Sequence, residues 1–369
     1  MFLEIRNNRF WLHDFEVYCR AADRVISGEN LYRGDIDGFY KFKYSPVCAV
    51  LYIPFTVIPL WAAKVVYWLF LSAVICACFY LSLLLTKPGF RQEPPSGVNS
   101  TMLLAALILG VHMERELHLG QVNQILLLCY LATAYFISKG RDMAASIILA
   151  AGIFIKPFGL IFVPYLIFKR RFRPAILFLL FTLILAAVPN LFYGPEQLQG
   201  QYDRWFHEIT TELSAKQDLF GNGNHTLFSI LARFTPLRLV DFTPRTALLY
   251  QATVLIALAG CLLFLLKRKV NGIALEFAIL TGLIPLLTFT SYNAFGFLDL
   301  AVFLVLFQFK YLTALPKAAA ILGFVYLGMN IYDLLGHRIW TFINDISLVS
   351  IGALLILMVV VMLRISKVA

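Results

Sequence analysis

The sequence predicts an all-α, polytopic membrane protein whose outer loops carry interfacial amphipathic helices. Three observations lead there. First, 60% of the 369 residues are hydrophobic and only 14% are charged, against about 25% charged in an ordinary soluble domain; mean hydropathy is +0.78. Second, apolar runs near the bilayer-crossing length of about twenty residues recur along the chain. Third, basic residues gather in short loops between those runs: "TKPGFR" (86–91), "KGR" (139–141), "KRRFR" (169–173), "KRK" (267–269) and "RISK" (364–367). This is the distribution of cytoplasmic loops. It accounts for the formal charge of +10 and removes nucleic acid as a partner.

The chain opens on polar ground. Residues 1–12 have no apolar core, so no cleavable signal peptide is visible. In 15–28, Phe15, Tyr18, Cys19, Ala22, Val25 and Ile26 recur at helical spacing opposite Glu16, Arg20, Asp23 and Arg24. This spacing predicts an amphipathic helix on the membrane surface, ended by Gly28. Residues 46–59 are apolar, too short to span and interrupted by Pro54, which predicts a dipping or interfacial helix. Spans follow at about 61–86, 98–113, 123–138, 174–190, 246–266, 272–290, 297–310, 316–334 and 346–363. The basic loops place 1–60, 114–122, 191–245, 291–296 and 336–345 outside the cytoplasm. The expected organisation is one integral membrane domain over 1–369, with 1–60 as a first outer loop and 191–245 as a second. Within the second, 196–215 repeats the amphipathic pattern.

Between the basic clusters at 139–141 and 169–173 lie only 27 residues. Both ends belong in the cytoplasm, and each half is too short to cross a bilayer. A hairpin of two short helices broken at Lys156-Pro157 satisfies both facts. Its irregular tip must be buried in protein or line water.

Six scattered cysteines show no metal spacing; Cys19 and Cys48, in the outer segment, leave a disulfide open. No phosphate-binding glycine loop, paired-histidine motif or nucleophile elbow occurs, so neither metal nor cofactor is expected. "DID" at 35–37 reads as loop acidity. Asp14 fits two compatible roles: a helix N-cap and a general base at the membrane surface. Lys156 either snorkels to the interface or meets a phosphate. "ELHLGQVNQ" (116–124) sets Glu116, His118, Gln121, Asn123 and Gln124 at the outer end of a span, and "FGNGNHTLFSILARF" (220–234) holds Asn222, Asn224, His225 and Arg233. Such clusters are either plain interfacial polarity or a site for sugar hydroxyls and phosphate.

Taken in order, "DFEVYCRAADRVISGENLY", "KFKYSPVCAVLYIPFTVIPLWAAKVVYW", "LGQVNQILLL", "KGRDMAASIILAAGIFIKPFGLIF" and "GNGNHTLFSILARF" resemble glycosyltransferase family 87 over about residues 13–300. The resemblance implies a C-superfamily glycosyltransferase-like bundle. It implies a multi-pass enzyme of the inner (plasma) membrane that takes a sugar from a polyprenyl-phosphate carrier on the extracytoplasmic face. Mannose, a hexose, is the first choice of sugar and the pentose arabinose also fits; the acceptor is a glycolipid or glycan, with membrane lipids as surroundings. Asp14 matches the family's acidic catalytic residue, and Lys156 its Lys-Pro lysine. Gln121 and Asn123 match a Gly-Gln-x-Asn stretch, and Asn224 a stretch in which His225 and Thr226 replace the usual pair. Tyr44, in the second quoted stretch, joins the substrate-binding group. The implied reaction inverts the anomeric centre: Asp14 takes the acceptor proton, while Lys156 with Arg204 or Arg233 neutralises the leaving phosphate.

Two departures stand out. Relatives carry a spanning helix before the acid, and only thirteen residues precede Asp14, so the expectation is a first spanning helix encoded upstream, with a natural truncation as the alternative. The family's late Ser-x-x-Trp-x-His-His run is replaced by "TSYNAFGF" (290–297), which leaves Asn293 or His225 in that role. A transporter or lipid flippase, and a non-catalytic subunit of an envelope-assembly complex, are the alternative readings.

Overall fold

The computed structural model describes residues 2–7, 9–87, 97–215, 218–221, 223–267, 272–289 and 291–366. Asn222, Thr290 and the parts of the basic clusters at 88–91, 268–269 and 367 lie outside them. Among the described residues every regular element is a helix, as the apolar periodicities predict. In chain order these are α1 (Phe2–Arg6), α2 (His13–Ile26), α3 (Gly34–Asp37), α4 (Pro46–Leu51), α5 (Leu60–Thr86), α6 (Gly97–Leu119), α7 (Asn123–Ser138), α8 (Asp142–Ile155), α9 (Phe162–Phe168), α10 (Phe172–Ala187), α11 (Asn190–Tyr193) and α12 (Pro195–Ala215). There follow α13 (Leu227–Phe234), α14 (Pro244–Lys267), α15 (Ile273–Leu287), α16 (Asp299–Gln308), α17 (Ala314–Gly328), α18 (Tyr332–Asp345) and α19 (Leu348–Ile365).

Five segments are long and apolar enough to cross a membrane: Leu60–Thr86, Phe172–Tyr193, Pro244–Lys267, Tyr292–Tyr311 and Leu348–Ile365. They carry five of the nine expected spans. The run at 316–334 is different. α17 stops at Gly328, and α18 leaves at 106°, turning the expected loop at 336–345 into helix with a kink at Gly336 (φ 70°). The runs at 123–138 and 272–290 form helices of 16 and 15 residues, short of a straight crossing at 1.5 Å per residue. The run at 98–113 lies in α6, which continues through Glu114, Arg115 and Glu116 to Leu119.

The expected break at Lys156-Pro157 is present between α8 and α9. Lys156 is extended (φ −143°, ψ 139°), as a residue before proline prefers. A 3₁₀ turn, Pro157–Ile161, then leads into α9. The dipping segment is likewise broken. Ser45 caps α4 by accepting from the Cys48 N–H at 3.2 Å, Pro46 starts the helix, and Pro54 opens a 3₁₀ turn over Ile53–Phe55.

The chain gathers into two compact units, Met1–Ala77 with Glu114–Leu213, and Cys78–Met113 with Ser214–Ala369. The first is built around α2, whose apolar face buries Phe15, Val17, Tyr18, Ala21, Ala22 and Val25. Phe15 stacks on Tyr67 at 4.1 Å between centroids, and Tyr18 tilts on Tyr52 at 4.7 Å. Each such aromatic pair contributes about 0.5–1.5 kcal/mol beyond its buried area. Asp37 of the "DID" stretch takes both guanidinium nitrogens of Arg24, at 2.7 and 2.6 Å, so this acid is structural. Cys19 and Cys48 are both free thiols.

In the second unit α17 and α19 cross at glycines. A β-carbon at Gly323 would stand 2.8 Å from the Ile356 side chain, and one at Gly352 would stand 3.0 Å from the Gly323 carbonyl oxygen. Small residues let membrane helices approach this closely. A fully buried Arg364 pairs with Glu276 at 2.6 Å and ties α19 to α15.

Candidate active site

Asp14 stands in the first turn of α2, not at its N-cap. The helix begins at His13, and Leu12 precedes it in the left-handed region without a side-chain cap. The cap expectation fails for a physical reason: a capping carboxylate must precede the helix and turn back to its free N–H groups, whereas the Asp14 carboxylate accepts a hydrogen bond from Gln121 Nε2.

That meeting depends on Gly120. Its φ of +70° lets α6 end and the chain turn into α7, and a β-carbon there would stand 2.9 Å from the Phe15 β-carbon. Only glycine allows both the turn and the close approach to α2. The Leu12 N–H donates to the His118 carbonyl at 3.2 Å, pinning the start of α2 to the end of α6.

Behind Gln121 runs a second chain of contacts. The buried Glu116 accepts from Asn123 Nδ2 at 2.6 Å and from the Asn123 N–H at 3.1 Å. Asn123 Oδ1 in turn accepts from Lys156 Nζ at 2.8 Å. The ammonium of the Lys-Pro break is thereby held at the N-terminus of α7. It lies 5.9 Å from the centroid of the Tyr44 ring and 5.6 Å from that of Phe158. Tyr44 is fixed by its hydroxyl, 3.0 Å from that of Tyr18, and by its carbonyl, which accepts from Tyr32 at 2.7 Å. Next to it, Ser45 donates to the Phe154 carbonyl at 2.5 Å.

The electrostatics follow from this packing. Burial pushes the Asp14 carboxyl above its ordinary range, while the Gln121 hydrogen bond and the charges of Lys156, His13 and Arg115 pull the other way. Burial and the nearby Asp14 and Glu116 charges push the Tyr44 hydroxyl up, so it stays protonated. A half-buried carboxylate of raised basicity beside an ammonium is suited to taking a proton while anionic charge is neutralised next to it.

The first unit thus brings together Asp14, Tyr44, Gln121, Asn123 and Lys156. Arg204 sits on the exposed side of α12. Glu116, named in the sequence with the polar cluster 116–124, joins this group through Asn123, and Arg115, not singled out there, joins through its charge on Asp14. Glu116 is fully buried and bonded to Asn123 rather than exposed at the interface.

The second unit holds the remaining candidates. Asn224 Oδ1 accepts from the Thr226 N–H at 3.1 Å and its hydroxyl at 2.7 Å, and its Nδ2 donates to the Asp218 carbonyl at 2.9 Å. It shapes the turn into α13. His225 is buried, with Nδ1 3.3 Å from the Ser347 hydroxyl and its carbonyl accepting from Ser350 at 2.7 Å. Burial, then the Arg233 charge, lowers its pKa to about 4, so the imidazole is neutral near pH 7. Arg233 donates to the carbonyls of Asp345 at 2.5 Å and Gly221 at 2.7 Å. Asn293 is buried and bonds to Ser291. Phe295, two residues on, meets the rings of His225 and His112 at 6.2 Å each.

Glu4, Glu114 and His118 offer ligand atoms within 4.8 Å of one another, the grouping among the described residues with the make-up to hold a metal ion. Glu4 and His118 already hydrogen-bond at 2.8 Å.

The family model of Glycosyltransferase family 87 matches residues 42–291. The matched stretch contains Tyr44, Gln121, Asn123, Lys156, Arg204, Asn224, His225 and Arg233; Asp14 and Asn293 fall outside it. No curated protein and no solved structure matches the chain.

Proposed function

This chain belongs to glycosyltransferase family 87, and from that membership we propose that it moves a hexose, mannose first, from a polyprenyl-phosphate carrier to a glycolipid or glycan acceptor on the extracytoplasmic face, with inversion. Asp14 is the general base. It takes the proton of the acceptor hydroxyl as that oxygen attacks the anomeric carbon. The bond from that carbon to the phosphate oxygen breaks, and the lipid phosphate leaves with the electron pair. Lys156 neutralises the charge that builds there, and Gln121 and Asn123 hold the acid and the ammonium in place. Tyr44 closes the group beside Lys156.

One observation carries the reading: the raised Asp14 carboxyl and the Lys156 ammonium occupy one cluster, joined through neighbouring residues of the α6–α7 turn. A carboxylate whose pKa is lifted by burial is a better base than a free one. The lysine beside it supplies the counter-charge without a bound metal being required. Extracytoplasmic placement rests on the basic loops, which put 1–60 and 114–122 on the side away from the cytoplasm.

The test is sugar transfer in membranes from a radiolabelled polyprenyl-phosphate mannose. Wild-type turnover should rise with pH through an apparent pKa above the ordinary aspartate value of about 3.9. In Asp14→Asn both the turnover and that limb should vanish while the protein remains extractable and folded. Full turnover in the variant would end the assignment of the base.

A further inference from the structure

Within the second unit, α14, α15 and α19 leave a cleft of about 540 Å³. Its wall is apolar, with Leu258, Cys261 and Phe264 on α14, Leu283 on α15, and Leu354 and Met358 on α19. Such a volume falls in the range of about 300–1,000 Å³ that takes an organic ligand. α14 is only 6% buried along its apolar window, so the cleft opens toward the hydrocarbon that surrounds a spanning helix.

Depth and charge narrow the occupant. On α19 the wall runs from Leu354 to Ile365, which at 1.5 Å per residue is about 16 Å. That is about half of the ~30 Å hydrocarbon layer, the reach of one leaflet. The wall occupies the C-terminal half of α14 and the last two thirds of α19. At that end α14 finishes in the exposed Lys267, followed in sequence by Arg268 and Lys269. Arg364, at the same end of α19, is neutralised by Glu276. These basic ends belong to the loops that the positive-inside pattern assigns to the cytoplasm, and basic groups beside clefts between spanning helices attract anionic head groups.

We infer that this cleft binds one acyl chain of an anionic phospholipid from the cytoplasmic leaflet, its phosphate set by Lys267. The lipid wedges α14 against α15 and α19. The lipid is neither donor nor acceptor, so the inference stands apart from the reading of the Asp14 site.

Native mass spectrometry of the detergent-purified full chain tests it, with phosphatidylglycerol, phosphatidylcholine and a polyprenyl phosphate as probes. One phosphatidylglycerol should stay bound at concentrations at least tenfold below those phosphatidylcholine needs. A β-carbon at Gly260 meets no atom within 4 Å, so Gly260→Phe enters the cleft without displacing protein and favours the helix. It should weaken the adduct at least tenfold at an unchanged melting temperature. Cys261→Trp, from an exposed thiol on the same wall, should do the same and replaces Gly260→Phe if that variant fails to fold. Lys267→Glu should keep an adduct but lose the preference for phosphatidylglycerol. Undiminished phosphatidylglycerol binding in the folded filling variant would overturn the inference. So would displacement of phosphatidylglycerol by equal polyprenyl phosphate, which would give the cleft to the donor's tail.

Discussion

The candidate residues of the two units hold their polar groups in different ways. In the first, the side chains bond to one another: Asp14 to Gln121, Asn123 to Glu116, Lys156 to Asn123. In the second, Asn224, His225 and Arg233 bond chiefly to backbone groups and hydroxyls of their own surroundings. A guanidinium held by carbonyls is a fastener for a loop. A carboxylate lifted in pKa beside an ammonium holds charge that a reacting molecule can use. The difference argues that chemistry resides with the first group and scaffolding with the second, although sequence reading nominated both.

The comparison breaks most readily at Asp14. Asp14→Asn should lower turnover by about 10²–10⁴-fold, the usual contribution of a general base, as read by transfer of labelled sugar. The same variant should melt higher than wild type at neutral pH. The raised carboxyl contributes its stability while protonated, below its unfolded pKa, and loses it as pH rises through the folded value. Asn mimics the protonated form, so the advantage should disappear in acid. A melting temperature that falls at pH 7 would mean that the charged carboxylate is a structural partner.

Lys156→Met should cost about 10²-fold in kcat, the scale of one electrostatic contact to developing charge, while Lys156→Arg should recover part of it. Equal losses in both variants, with lowered stability, would place the lysine in the scaffold.

His225 offers a stability test. The unfolded imidazole takes up its proton near 6.5, and the folded one resists until about 4. Unfolding is therefore favoured as pH falls across that window, by up to about 3 kcal/mol. His225→Gln should flatten the dependence of melting temperature between pH 7 and 4.5 and leave the acid limb of turnover alone. A shift of that limb would bring His225 into the chemistry.

The smallest effect is expected at Arg233. Arg233→Met removes the carbonyl contacts, at a cost of about 2 kcal/mol visible in thermal melts, with KM for the lipid-linked sugar unchanged. A rise in KM with little loss of stability would move the guanidinium to the phosphate.

Much of this molecule is readable from local rules. The amphipathic helix ended by Gly28, the helix break at Lys156-Pro157 and the long apolar helices all appear where periodicity and proline place them. The misreadings are equally instructive. Asp14 precedes an apolar-periodic run and reads as a cap, but the helix starts at His13 because Leu12 adopts a left-handed turn. The run at 316–334 reads as one span, yet α18 leaves at 106°, because hydropathy reports length and composition and not direction.

By itself, then, the sequence determined the solvent, the helical class and the points where the chain must break. Those properties depend on composition, on spacing at 3.6 residues per turn and on the backbone limits of proline. Tertiary structure alone decided that Asp14 meets Gln121, 107 residues away, and that Lys156 meets Asn123, 33 residues away. No local rule couples such positions. They meet because Gly120 lets the α6–α7 turn pass within contact of Phe15, and a backbone approach of that kind exists only once the helices have packed.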